Sequence, residues 1–415
     1  MKQEIRNTLL NSDIILFGET EDTIDFYKKY HKLLNIKFCM TNYSENVALQ
    51  SMKEYGLSTI LYDDVEFKEN DYIVLCDYEC YQPIERRLQA DGLLEYKNYV
   101  SSELADAVLS EKKIAVFMGT AFMGQIVMGL QLQSQITQKY VCIYYAENEL
   151  LQPYANKIAQ YKHIARLSDV YITSICDKNM YDAKVLADEF MLNNSEKIRV
   201  SDYTFNGYYP QISGGRDTYS YFLFRERKRL EMNYSTLALA REDANLRQYV
   251  YQNISVEEIV KRVSDSDFYT EEQVKEHFKS GLEKLKKSDE NADVPLAEFI
   301  EKSCKGMAVY RNLDEWHVEA IKYAMKKVAE KLDIILKDVD ENTLAEQIEE
   351  ASGSELPIYP SVLKYLEIEN FVNKKYRVVT FNKVRYLSFE EYIRYCAECM
   401  YQVKDMNEFL GIERA

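Results

Sequence analysis

Two short apolar runs in this chain each end in a glycine and pass directly into a helical pattern. The first run ends at Gly18 and the second at Gly119. Strands that alternate with helical patterns form βαβ units, and the strands of such units lie parallel in one sheet. The two glycine turns therefore predict an α/β protein that contains at least two units of parallel strands.

The turn at Gly18 departs from the pattern that binds a dinucleotide. That pattern needs further glycines, so that the backbone can approach the pyrophosphate closely. Only Gly18 is present here, and the carboxylates of Glu19, Glu21 and Asp22 follow it. Acidic groups at the start of a helix repel an anion. We expect a Rossmann-like unit without a dinucleotide fingerprint, serving as a structural or docking module.

The turn at Gly119 contains no acidic residue. A helix that begins directly after it points free N–H groups and a positive dipole end toward the crevice beyond the strands. Ligands of open parallel sheets bind in that crevice, outside the carboxyl ends of the strands. Those ends predict four cofactor-binding residues, which are Gly119, Thr120, Ser174 and Tyr209. The acid-free turn favours an anionic ligand.

The chain has 415 residues, which is more than one ordinary hydrophobic core accommodates. Strands and helices alternate over residues 1–108 and again over 109–217, and the pattern is mainly helical over 218–415. Apolar residues at helical spacing predict helices at 271–287, 314–332 and 362–372, among others. A strand-like pair at 376–381 and 384–386 interrupts the helical half. We expect these three segments to be the domains.

Charge and composition exclude several classes of protein. The net charge of −16 argues against general binding of nucleic acid or of an anionic membrane, because phosphate neutralisation needs a basic face. The amino-terminal stretch is polar, and no apolar run is long enough to span a bilayer. The eight cysteines are scattered, as in a reducing cytoplasm. Cys396 and Cys399 form a CxxC pattern, which we interpret as structural thiols and not as a zinc site.

Several short motifs, in their order along the chain, resemble the WcbI family of capsular polysaccharide biosynthesis proteins. They are GTAF at 119–122, LSDVY at 167–171, FNGYYPQ at 205–211, LPIYPSV at 356–362 and FEEYI at 389–393. The resemblance covers roughly residues 112–403. The first unit is similar to the Rossmann-like helper domains attached to bacterial surface-polysaccharide enzymes.

This resemblance implies a protein that binds coenzyme A or acetyl-CoA and transfers an acetyl group to a sugar or glycan acceptor. It leaves open whether the protein is a homo-oligomer. A helix start that attracts anions suits a group-carrying cofactor such as coenzyme A. Arg216, beside Gly214 and Gly215, is the candidate for contact with a cofactor phosphate.

The chain departs from the family at the residues that matter most for catalysis. Ala121 stands where the family has a nucleophilic cysteine, and Thr120 replaces an asparagine. His317 lies one residue away from the expected histidine position and is the candidate catalytic residue, acting as a base. Cys176 follows a predicted strand end and is an alternative nucleophile, but the simpler interpretation of this residue is a buried thiol. The alternatives are a catalytically inactive binding or scaffold relative, and an enzyme that transfers the acyl group directly.

Overall fold

The computed structural model describes residues 1–18, 20–42, 53–76, 81–146, 167–175, 196–203, 205–212, 243–304, 306–312, 316–337, 341–351, 353–379 and 383–409. Within these residues the chain forms two parallel sheets and a mainly helical carboxyl-terminal half. The predicted α/β class is confirmed. The helices predicted at 150–166 and 181–192 lie outside the described residues.

The first sheet has five parallel strands in the order β3-β2-β1-β4-β5. Its elements, with the helices around them, are α1 (Lys2–Asn11), β1 (Asp13–Phe17), α2 (Glu21–Tyr30), β2 (Asn35–Thr41), β3 (Thr59–Leu61), β4 (Asp71–Leu75), α3 (Tyr81–Ala90), β5 (Tyr99–Ser101) and α4 (Ser102–Leu109). Strand β1 is a continuous apolar run because helices cover both faces of the sheet. The sequence pattern also predicts a short edge strand at residues 97–100, and β5 lies at that edge of the sheet, beside β4.

The second sheet has four parallel strands in the order β7-β6-β8-β9. Its described elements are β6 (Lys113–Gly119), α5 (Ala121–Gln131), α6 (Ser134–Thr137), β7 (Tyr140–Ala146), β8 (Val170–Ile175) and β9 (Glu196–Ser201). Strand β7 lies on one side of β6, and β8, which comes later in the chain, lies on the other side of β6. The connections therefore reverse direction between β6 and β8.

A single hydrophobic core joins the first unit to the second sheet. Ile5 of α1 and Leu104 of α4 belong to the same buried cluster as Val116 and Met118 of β6 and Tyr171 of β8. At the edge of this layer, Lys2 Nζ lies 2.6 Å from the Asp169 carboxylate. Helices of the first unit thus cover one face of the second sheet.

The opposite face of the second sheet packs against the helical half. Phe117, Ile172 and Val200 share a buried cluster with Ile126 of α5 and Ala324 of a long helix from the carboxyl-terminal half. The elements of that half are α7 (Ala244–Tyr251), α8 (Val256–Val263), α9 (Glu271–Asp289), α10 (Ala297–Ser303), α11 (Val318–Lys331), α12 (Glu341–Ala351), α13 (Pro360–Tyr365), β10 (Tyr376–Val379), β11 (Val384–Leu387) and α14 (Phe389–Phe409).

Two predicted helices of the carboxyl-terminal half are shorter than the sequence pattern indicated. The helix expected over 362–372 ends at Tyr365, and Glu367 then adopts a left-handed backbone with φ of 56°. The helix expected over 314–332 begins at Val318, because His317 takes the extended capping position before it. The strand-like pair is the antiparallel hairpin of β10 and β11.

Candidate functional site

The connections reverse between β6 and β8, and in open parallel sheets the crevice at such a reversal is where ligands bind. Loops leave neighbouring strand ends in opposite directions at such a point, and this opens a place for a ligand. Gly119 ends β6, Ser174 is the penultimate residue of β8, and Asp202 directly follows β9. The backbone N–H of Asp202 donates to the Ile175 carbonyl at 2.9 Å, so the end of β9 stays beside β8.

Gly119 and Ser174 are in direct contact at this point. A Cβ atom at Gly119 would lie 2.3 Å from Ser174 Oγ and 2.8 Å from Ser174 Cβ, so the serine side chain requires glycine here. Ser174 is 2% exposed, and its Oγ has no hydrogen-bond partner among the residues that the structure describes. Buried hydroxyl groups are normally hydrogen-bonded. A buried hydroxyl without a partner at a crevice indicates a place where a ligand can accept or donate a hydrogen bond.

Thr120 connects the start of α5 to the end of β9. Its Oγ1 accepts a hydrogen bond from the Phe122 N–H at 3.2 Å, which caps the helix, and it donates to Asp202 Oδ2. The other carboxylate oxygen of Asp202 accepts from Trp316 Nε1 at 3.4 Å. Asp202 is 7% exposed, and a carboxyl group so deeply buried needs hydrogen-bond partners such as these. Thr120, Asp202 and Trp316 therefore form one connected polar group.

Aromatic packing fixes the indole of Trp316. Its ring lies 4.6 Å from the ring of Phe122 on one side and 4.1 Å from the ring of Tyr310 on another. Trp316 is 1% exposed. The tight packing holds Nε1 toward Asp202. Trp316 and Thr120 therefore each hold a different oxygen of the carboxylate.

The Gly119 turn contains no acidic residue, but a carboxylate from elsewhere in the chain lies beside it. The fold brings Asp202 to the turn from the end of β9, where it accepts a hydrogen bond from the Thr120 hydroxyl. This carboxyl group complements the positive end of α5.

The other predicted cofactor-binding residues have different placements. Tyr209 is fully buried, and its hydroxyl donates to the Tyr310 carbonyl at 3.4 Å, so it supports the aromatic packing beneath Trp316. Arg216 and Cys176 lie outside the described residues. Ala121 is the exposed first residue of α5, and its methyl group offers no nucleophile.

His317 caps α11 and belongs to a neighbourhood different from that of Trp316. Its Nδ1 accepts the Glu319 N–H at 3.5 Å. Burial, together with the positive charges of Lys374 and Arg311, lowers the pKa of His317 to about 4. The imidazole is therefore neutral at pH 7, with its proton on Nε2, because Nδ1 acts as an acceptor. In this state Nε2 is a hydrogen-bond donor, and the predicted role of base needs the other tautomer.

A buried group of charges lies behind His317. Arg311 Nε lies 2.9 Å and Lys374 Nζ 2.7 Å from the same oxygen, Glu355 Oε1, while Glu355 Oε2 accepts the Arg377 N–H at 2.9 Å. Burial alone would raise the pKa of Glu355, but Lys374 and Arg311 together lower it. This cluster fixes the hairpin of β10 and β11 to the loop that precedes α11.

The comparisons with known proteins yield one match, to a solved structure. No family model matches the sequence, and no curated protein matches it. The structure search matches WcbI, a polysaccharide biosynthesis enzyme, solved as the native protein without a disulfide bond between coenzyme A and one of its cysteines. The match has a TM-score of 0.49 and 11% identity, and it covers 71% of this chain and 90% of the other.

Asp202 and Trp316 are the site residues that the sequence analysis missed. A signal for Asp202 exists in the sequence, since it is the first acidic residue after a predicted strand, at the edge where ligands bind. The sequence signal for Trp316 is weaker, since it is only the single tryptophan of the chain and the neighbour of His317. Its role depends on a contact across 114 residues of sequence, which no local pattern reveals.

The described residues offer no metal site and no membrane-spanning helix. They contain no group of three or more His, Cys, Asp or Glu side chains arranged to hold a metal ion. Cys396 and Cys399 are free, buried thiols on α14. Among the described helices, none combines the length and the apolar character that crossing a bilayer requires.

Proposed function

We propose that this protein is a coenzyme A-dependent acyltransferase that acts on a sugar hydroxyl in the assembly of a polysaccharide or cell-surface glycan. The order of motifs along the sequence supports the substrate class. The proposed reaction rests on one observation. At the strand reversal, the Thr120 hydroxyl donates a hydrogen bond to the buried carboxylate of Asp202. Beside it, the Ser174 hydroxyl has no partner among the described residues.

Acyl transfer from a thioester to a hydroxyl needs two functions from the protein. A base must take the proton of the attacking hydroxyl, and hydrogen-bond donors must stabilise the negative charge that develops on the carbonyl oxygen. Asp202 is the carboxylate in reach of the crevice. Ser174 Oγ and the free N–H groups at the start of α5 are the donors. One crevice therefore holds both kinds of group.

The position of Asp202 also restricts how coenzyme A lies. Its reactive end is neutral and fits the crevice, whereas its phosphates would be repelled by the carboxylate. We therefore propose that the phosphates lie away from Gly119, with Arg216 as the candidate partner. Gly119, Thr120 and Ser174 are proposed to contact the acyl end.

A second candidate function is that of a non-catalytic binding or scaffold protein with the same fold. The specific observation in its favour is Ala121, which leaves the first residue of α5 without a nucleophilic side chain. In that case the crevice would bind a ligand and no acyl group would leave coenzyme A.

Calorimetry with coenzyme A and acetyl-CoA tests the proposed binding, and release of the coenzyme A thiol in the presence of sugar acceptors tests transfer. We expect binding, and acetyl transfer that falls by about 100-fold or more in Asp202→Asn, because the base is lost. Asp267→Asn, at an exposed carboxylate paired with Lys364, is the matched control. Arg216→Ala should weaken binding of coenzyme A.

The outcomes separate the two candidates. Absence of binding at millimolar coenzyme A would reject both the enzyme and a scaffold that uses this ligand. Binding without any release of thiol would favour the non-catalytic protein. Transfer that is lost in His317→Ala but kept in Asp202→Asn would instead assign the base to His317.

A further inference from the structure

We infer that Thr120 is the nucleophile of the proposed reaction and carries the acyl group as an ester on its Oγ1. The inference rests on the proposed function and adds a covalent step to it. Thr120 precedes Ala121 at the start of α5, so an oxygen nucleophile stands one residue before the position that lacks one. Thr120 is a partly buried residue, unlike the buried Gly119 before it.

The hydrogen bonds of Thr120 follow the arrangement of an activated nucleophile. Such a site has a nucleophile bound to a base, and the base is held by a third group. Here Thr120 Oγ1 donates to Asp202 Oδ2, and Trp316 Nε1 donates to Asp202 Oδ1 at 3.4 Å. The roles of nucleophile, base and orienting group are thus filled by three residues from three separate elements.

A structural explanation of these contacts accounts for only part of them. A threonine at a helix N-cap needs only to accept a hydrogen bond from a backbone N–H. Thr120 accepts such a bond from the Phe122 N–H at 3.2 Å. Neither the cap nor the fold of α5 requires a buried carboxylate behind the hydroxyl, since burying one is costly. The Thr120 hydroxyl therefore has a partner that capping alone does not explain.

The surroundings also suit the charge that moves during the reaction. The Phe122 N–H and the positive end of α5 lower the energy of negative charge at Thr120 Oγ1. On the other side of Gly119, the buried Ser174 hydroxyl is free of protein partners among the described residues. In the proposed reaction this hydroxyl donates to the oxygen of the acyl carbonyl.

The proposed step balances without any further reactant. Thr120 Oγ1 forms a bond to the thioester carbonyl carbon while its proton moves to Asp202. The carbon–sulfur bond then breaks, and Asp202 returns that proton to the departing sulfur. In the second half, the acceptor hydroxyl attacks the ester and gives its proton to Asp202. Thr120 Oγ1 leaves with the proton from Asp202, which restores the starting state.

Covalent labelling tests this assignment separately from turnover. The protein is incubated with acetyl-CoA, and in a second arm with p-nitrophenyl acetate, which needs no coenzyme A site. It is then quenched in acid and digested, and the peptides are analysed by mass spectrometry. We expect one acetyl ester on Thr120 that hydroxylamine removes. Asp202→Asn should slow the labelling by about 100-fold or more.

Three variants separate chemistry from capping. Thr120→Asn keeps a good N-cap but has no hydroxyl, so it should fold and lose the label. Thr120→Ser should keep both the fold and the label. Thr270→Asn makes the same substitution at the N-cap of α9 and should be labelled like the unaltered protein.

Two results would overturn the inference. One is acetyl transfer at an unchanged rate in Thr120→Asn, which would leave the proposed function standing with direct transfer. The other is an acetyl label on a cysteine or on His317 that persists in Thr120→Asn. Failure of the proposed function has a different signature, namely no binding of acetyl-CoA by calorimetry.

Discussion

The Ser174 side chain occupies the space that a Cβ atom of Gly119 would need, with Oγ 2.3 Å and Cβ 2.8 Å from that position. Gly119 was predicted from the sequence because it follows an apolar strand. The structure gives a further reason for glycine, since the neighbouring strand β8 places a serine against it.

Substitution of Gly119 should therefore be rescued at Ser174. Gly119→Ala is expected to cost about 1–3 kcal/mol in the free energy of unfolding, because the new methyl group overlaps the serine. Adding Ser174→Gly should recover most of this loss. Adding Ser174→Ala should recover less, because Cβ remains. Urea unfolding of the single and double variants measures the coupling between the two residues. If Gly119→Ala lowers the free energy of unfolding equally with and without Ser174→Gly, the contact is contradicted.

Glu85 should make the protein less stable as the pH rises. It is 4% exposed on α3, and burial raises the pKa of Glu85 to about 7. Between its ordinary pKa of 4.5 and this value, the folded state binds more protons than the unfolded state, so stability falls as the pH rises through the window. Glu85→Gln is expected to remove the part of this dependence that Glu85 contributes, up to about 3 kcal/mol at pH 8. The part from Glu95, whose pKa burial also raises to about 7, should remain. Glu66→Gln, at an exposed position, is the control for unfolding measured from pH 4 to 8.

His317 should have the opposite dependence on pH. Burial, with Lys374 and Arg311, lowers the pKa of His317 to about 4, so the unfolded state binds more protons between 4 and 6.5. Stability should therefore fall as the pH falls through this window. His317→Asn keeps a capping side chain and should flatten the profile. The same change at the exposed His31 should leave the slope as it was.

Glu355 is expected to be essential for stability. Its side chain is 3% exposed and holds Arg311 and Lys374 on one oxygen. Glu355→Ala leaves buried positive charge without compensation and should cost about 3–5 kcal/mol. Lys364→Ala removes an exposed ion pair with Asp267 and should lower the stability far less. Thermal and urea unfolding compare the two variants. A loss of under about 1 kcal/mol in Glu355→Ala would contradict a stabilising role for this cluster.

Acid should weaken the same cluster. The pKa of Glu355 is held below its ordinary value, so its contribution is complete above the unfolded pKa and is lost as the pH falls through the folded one. Glu355→Gln should therefore remove part of the acid sensitivity. An unchanged acid transition in this variant would show that other carboxylates control it.

The sequence predicted the parts of the fold that depend on neighbouring residues. Strands β1 and β6 are apolar runs that end in glycine, and α9 begins with Thr270 and Gln273, which cap each other reciprocally. The early end of α13 was missed because Glu367 takes a left-handed backbone that no residue type there announces.

The candidate site was predicted only where it follows strand ends. Gly119, Thr120 and Ser174 come together as expected, because parallel strands present their carboxyl ends at one edge. Asp202 was missed at that edge, and Trp316 reaches it from a distant helix start. Such contacts depend on how the helical half packs on the sheet, and periodicity along the chain does not encode that packing.

The core shared by the first unit and the second sheet bears on how the chain folds during synthesis. Helix α1 precedes the second sheet along the chain, yet its Lys2 pairs with Asp169, and its Ile5 packs in the cluster that contains Tyr171. These contacts span more than 160 residues, so the ribosome must extend the chain well beyond the first sheet before α1 can dock. Until then α1 and α4 pack only on each other and on the first sheet, and they lack the part of their apolar cover that β6 and β8 provide.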